Sequence, residues 1–232
     1  MTEEKRFEVD PSWRGVIKWG GLSLFAAATI AVIYFLSILI LQQTIPVPPE
    51  EVLEDPLAPT LLFLLAAIGE LLLLPAGLGL YFALKDVKKT AMLIAAALWL
   101  VAPIMFLASR GIVISLSQIS DSYLNTTDQT VKAAYLASAE LAIETQSIFA
   151  YMALIPLAVA TIIIGLVMLK GDFGKRLGYL VIVAGVWTLF TPLGVILEIP
   201  IIIPIMGVVL GAVWQLVVGA KLYKLGKAEP SP

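Results

Sequence analysis

Residues 90–117 read TAMLIAAALWLVAPIMFLASRGIVISLS, a stretch whose only charge is Arg110. The hydrocarbon core of a bilayer is about 30 Å thick and a helix rises about 1.5 Å per residue, so roughly 20 such residues cross it. The stretch reads as a membrane span with a guanidinium toward one end. A charge in such surroundings needs a partner, a wet cavity or an interface within reach of its side chain.

Five further stretches of this kind flank it, at about 16–41, 58–84, 146–169, 177–197 and 199–222. Of the 232 residues, 60% are hydrophobic and 14% charged, and the mean hydropathy is +0.98. Soluble domains have about 45–50% apolar and about 25% charged residues. The fold class expected is all-α, a polytopic membrane bundle of six transmembrane helices. WGGLSLFAAATIAVIYFLSILIL (19–41) is too long for a signal-peptide core and no small-residue cleavage site follows it, so it is read as a retained helix. The expected division is a cytoplasmic N-terminal segment at 1–15, a six-helix domain at 16–222 and a cytoplasmic tail at 223–232.

The basic residues set the direction. With the N-terminus inside, the inner segments hold Lys5, Arg6, Arg14 and Lys18; Lys85, Lys88 and Lys89; Lys170, Lys175 and Arg176; and Lys221, Lys224 and Lys227. These are thirteen of the fifteen Lys and Arg, leaving Lys132 outside and Arg110 within a span. Such an excess is the mark of cytoplasmic loops, so the chain is expected in the cell membrane with both termini cytoplasmic. Trp13, Trp19, Tyr81, Tyr179 and Tyr223 fall at the same inner boundary, as an aromatic belt does. The loop QQTIPVPPEEVLEDPLAP (42–59) reads as an acidic, proline-rich outer segment. Ahead of the fourth span, a capping signal at Thr127/Asp128 opens a run without glycine until Gly165. The fourth helix is therefore expected to extend or bend beyond the outer surface.

The chain has no cysteine and no histidine. This excludes disulfides, thiol nucleophiles, catalytic pairs built on histidine and imidazole-ligated zinc or haem. No cofactor and no resident metal are expected, although a carboxylate-only ion site stays open. The candidates for chemistry are Arg110, Glu70, Glu140, Glu144 and Glu198, with Trp99 and Tyr151 on the same helix faces as Arg110 and Glu144. Counting residues from the span ends puts Glu70 near mid-membrane and the other four charges at the outer end. Arg110 is thus expected to pair with a glutamate across the outer end of the bundle. Glu140 and Glu144, four apart, share a face and repel unless a cation or proton intervenes. Each feature also has a plain structural reading: a salt bridge that locks helices, the wet face of a projecting helix, a solvent-exposed turn at Glu198. Gly207-x-x-x-Gly211 reads as a helix-packing motif. Gln215 reads as interhelical glue without a function.

In its six-helix length, in WGGLSLFAAATIAVIYFLSILIL, in LLFLLAAIGELLLLPAGLGLYFALKD (61–86) and in the arginine of FLASRGIVIS (106–115), the chain resembles the prokaryotic domain-of-unknown-function family 4386. That family often carries an acidic residue soon after the arginine; Gly111, Ile112 and Val113 stand here. The resemblance implies a multi-pass membrane protein and no particular activity.

Three function classes remain. The first is binding or transport of a small solute, ion or amphiphile in a polar pocket open to the outer side. The second is an intramembrane enzyme working on a lipid or polyprenyl substrate through carboxylates, for which no known catalytic motif is present. The third is a non-catalytic scaffold or accessory subunit. The expected partners are the lipid bilayer, a small-molecule or lipid ligand and a second copy in a homodimer, six helices being few for a solitary transporter; nucleic acid is not expected.

Overall fold

The computed structural model of the chain describes residues 10–40, 48–171, 173–197 and 202–227, and every regular element among them is helical. A 3₁₀ turn at Pro11–Trp13 leads into α1 (Arg14–Ile40). Then follow α2 (Pro49–Glu54), α3 (Leu57–Leu84), α4 (Lys89–Ile114), α5 (Ser117–Asn125), α6 (Gln129–Met168), α7 (Lys175–Leu197) and α8 (Ile202–Lys227). Five segments are long and apolar enough to cross a membrane: Pro11–Ile38, Leu57–Leu84, Lys89–Asn125, Gln129–Met168 and Ile205–Lys227. This is the architecture of a helical membrane protein.

The six long helices close into a ring in chain order. α1 packs on α3, α3 on α4, α4 on α6, α6 on α7, α7 on α8 and α8 back on α1. Lipid tails are as apolar as leucine, so burial in the membrane gives helices little reason to associate, and close backbone approach does that work. Gly20 of α1 meets Gly79 of α3 so closely that a Cβ on Gly20 would lie 2.6 Å from Gly79 Cα. On the neighbouring face of α1, a Cβ on Gly21 would lie 2.7 Å from the carbonyl oxygen of Gly219 in α8. The Gly207/Gly211 motif behaves less uniformly. A Cβ on Gly207 would lie 3.3 Å from the Trp187 ring, whereas at Gly211 it would meet nothing within 4 Å among the described residues.

One end of the ring gathers aromatic and basic side chains. Trp13 stacks on Phe82 with centroids 3.8 Å apart, and Lys85 Nζ lies 5.2 and 5.0 Å from those two rings. Lys18 sits over Tyr223 and Lys221 over Phe173. Just ahead of this end, Ser12 donates its backbone N–H (2.9 Å) and hydroxyl (2.7 Å) to Asp10. Those bonds hold the exposed Asp10 carboxyl below the usual carboxylate range.

The opposite end carries a small cap. α6 is one continuous helix of 40 residues, about 60 Å long and twice the thickness of a bilayer core. Asp128 caps it, accepting from the N–H groups of Thr130 (2.8 Å) and Val131 (3.5 Å). Its extra length supports α2 and α5: Val52, Leu53, Phe63, Val113, Leu116, Tyr123, Ala139 and Ile143 form a second hydrophobic cluster. Ser120 donates to the Leu53 carbonyl inside it. Within the acidic segment read above as loop, Pro49–Glu54 thus forms a helix against α5 and α6.

Candidate functional site

α3 runs through the membrane region as an almost wholly apolar helix with Glu70 near its middle. α4 returns antiparallel beside it. Fifteen residues separate Glu70 from the capping Lys85, and twenty-one separate Arg110 from Lys89. The two α-carbons therefore stand about 22.5 and 31.5 Å from that end, a mismatch of about 9 Å. Side chains on a helix lean toward its N-terminus. On antiparallel neighbours the lean is opposite, so Arg110 reaches down and Glu70 reaches up. They meet: Arg110 Nε and Nη2 donate to Glu70 Oε1 at 3.1 and 3.0 Å. The partner of Arg110 is thus the deep carboxylate, because the expectation of a pair at the outer end left side-chain lean out of account.

Glu70 is buried and Arg110 nearly so, with the two side chains 11% and 13% exposed. The guanidinium lies between two rings, its Cζ 5.7 Å from the Tyr34 centroid on α1 and 5.5 Å from the Phe63 centroid on α3. Phe63 also belongs to the cap cluster, so the cap roofs the pair. Below and beside it is a cavity of about 140 Å³, walled mainly by Ala27, Ile30, Ala66, Gly69, Glu70 and Gln215. Residues of α1, α3, α4 and α8 all contribute to its wall. Four consecutive members of a closed ring share its interior, so the cavity lies on the luminal side of these helices, and it is open where Ala31 is exposed.

Hydrogen bonding is incomplete here. Among the described residues two buried side-chain polar atoms lack a partner, Arg14 Nε and Glu70 Oε2. Leaving a buried acceptor unmet costs about 1–3 kcal/mol, more where it is charged. An unpartnered carboxylate oxygen, in a residue 8% exposed that also lines the cavity, is a demand for a donor.

The other residues singled out in the sequence lie elsewhere. Trp99 is fully buried, and its indole N–H donates to the Leu73 carbonyl at 2.8 Å. Gly77 leaves room for its ring, and Trp214 of α8 meets that ring edge-on at 5.8 Å. It is a core side chain with its polar atom already satisfied. Glu140 and Glu144 are exposed on the cap half of α6, and Tyr151 is half-buried on the same helix. Glu198 lies outside the described residues. No group of three or more Asp and Glu close enough to hold a metal ion occurs among the described residues. The sequence reading missed Tyr34 and Phe63, and it noted Gln215 only as interhelical glue. A signal for Tyr34 was present, a hydrogen-bonding side chain in an apolar span, as Glu70 is.

The model of the family described as Domain of unknown function (DUF4386) matches residues 21–222, nearly the whole helical ring. The chain belongs to that family. The DUF4386 match takes in all four cavity-lining helices, with Tyr34, Glu70, Arg110 and Gln215 inside its bounds. No curated protein and no solved structure matches the chain.

Proposed function

We propose that this DUF4386 protein is a six-pass protein of the cell membrane whose luminal cavity binds a small solute, ion or amphiphile, as a binding or transport protein does. α7, closing the ring between α6 and α8, is the sixth crossing. The lysine-rich and aromatic end is the cytoplasmic one by the positive-inside rule, which puts both termini there and the cap on the outer side. One observation carries the binding reading: Glu70 Oε2 is buried, lacks a partner and belongs to a residue in the wall of a cavity. Intramembrane ionisable groups of this kind are costly to keep and mark ligand or ion paths. Prolines inside α3, α4, α6 and α7 (Pro75, Pro103, Pro156 and Pro192) are in keeping with it, since interrupted helices are frequent at transport sites.

A scaffold reading also has an observation behind it, because two donors on one oxygen tie α3 to α4. Native mass spectrometry of the chain released from mild detergent separates the two. The wild type is expected to carry a retained small molecule of defined mass. Glu70→Gln and the cavity-filling Ala66→Met are expected to lower its occupancy at least about tenfold, the equivalent of one charge-assisted hydrogen bond. Equal occupancy in all three proteins, or none in the wild type, favours the scaffold.

A further inference from the structure

The chemistry of the guest can be narrowed, on the footing that the cavity binds one. The charges of Arg110 and Glu70 cancel within the pair, so the site offers no net charge to an ion. The guanidinium spends Nε and Nη2 on Oε1 and is flanked by the rings of Tyr34 and Phe63. None of its nitrogens is left buried and unpartnered, whereas Glu70 Oε2 is. Among the buried atoms of the pair the unmet need is therefore for a donor, while Arg110 Nη1, which makes no hydrogen bond among the described residues, is not buried. A carboxylate or phosphate guest would set oxygen against oxygen at Oε2 and satisfy nothing there.

A further feature fits a donor. Gln215, in the same wall, offers both a carbonyl and an amide to the far side of a small polar head. Size sets the remaining limit. A cavity of about 140 Å³ is close to the void of about 150 Å³ that takes a benzene ring in an engineered core. From these observations we infer that the cavity prefers a non-anionic hydrogen-bond donor, a primary amine or alcohol of about seven heavy atoms or the same head on a longer chain, to a carboxylate.

The test uses the full chain in dodecyl maltoside with three probes of matched length: 1-hexanol, hexylamine and hexanoate. Tryptophan fluorescence gives the thermal midpoint at each probe concentration. Ala66→Met, which fills the void, gives the shift caused by partition into the micelle alone. After that subtraction, hexanol and hexylamine are expected to raise the midpoint, each with an apparent affinity at least about tenfold above that of hexanoate. In Glu70→Gln the preference is expected to shrink to within about twofold, because the free carboxylate oxygen is gone; the ranking in the wild type stands as a test even if that variant does not fold. Hexanoate binding as tightly as the other two, with a shift that Ala66→Met abolishes, overturns the donor preference and leaves the cavity as a binding site. A wild type that responds to all three as Ala66→Met does overturns the binding reading itself, and this inference with it.

Discussion

Arg110→Met is expected to lower the stability of the folded chain by about 3–5 kcal/mol, the cost of leaving one partner of a buried ion pair alone. Both donors to Glu70 Oε1 disappear at once, and Oε2 has no partner to share the burden. Reversible unfolding in mixtures of SDS and mild detergent reads this directly. The informative comparison is the double variant Glu70→Met/Arg110→Met. It removes both charges and both desolvation costs, so it is expected to regain most of what the single variant loses. A double variant no more stable than Arg110→Met would mean that the two side chains are not energetically coupled, whatever their geometry. The same cycle separates a pair kept for stability from one kept for binding. A double variant at or above wild-type stability that retains no small molecule would show that the pair is not needed to hold the helices together.

Gly79→Leu is expected to destabilise the fold by a different route. A Cβ at that position would fall 2.7 Å from Gly20 Cα, and the reciprocal one at Gly20 would fall 2.9 Å from the Pro75 carbonyl oxygen. The obstacles are backbone atoms, which no rotamer change moves. α1 and α3 must therefore separate, and overpacking of this kind costs about 1–3 kcal/mol and occasionally more. Because Ala27 and Ile30 on α1 and Gly69 and Leu73 on α3 line the cavity further along the same seam, ligand retention is expected to fall with stability. Gly211→Leu is the control, since nothing among the described residues lies within 4 Å of a Cβ there. It is expected to stay within about 0.5 kcal/mol of the wild type. Equal effects at the two positions would contradict the seam.

How much of this was legible in the residues follows from the physics of each element. The apolar stretches were plain because a helix crossing hydrocarbon must be apolar on nearly every face, and length alone then marks it. The long α6 was legible from its cap at Asp128 and its unbroken run. α2 was missed because six residues rich in acid and proline look like a loop. Yet Pro49 at the start and Glu50 and Glu51 in the first turn are what a helix N-terminus favours. α5 was missed because it follows α4 after a short turn and carries little apolar signal of its own.

The site was half legible. Glu70 and Arg110 stood out as charges where charges are expensive. Their pairing did not, because residue counting gives the height of an α-carbon and ignores the opposite leans of antiparallel neighbours. Trp99 shares the helix face of Arg110, but only the packing shows its indole satisfied by the Leu73 carbonyl. Tyr34 and Gln215 reach the lumen from α1 and α8, helices whose adjacency to the α3–α4 hairpin depends on closure of the ring and on no local pattern.

The central claim is that small polar molecules and water reach the lumen beside Glu70, and the chain's lack of cysteine makes it directly testable. Ala66→Cys places a single thiol in the cavity wall, and Ala95→Cys places one in the fully buried core. Only a hydrated thiolate reacts with a small charged methanethiosulfonate. In membranes, labelling at position 66 is expected to be at least about tenfold faster than at position 95; equal background rates at both would contradict the account.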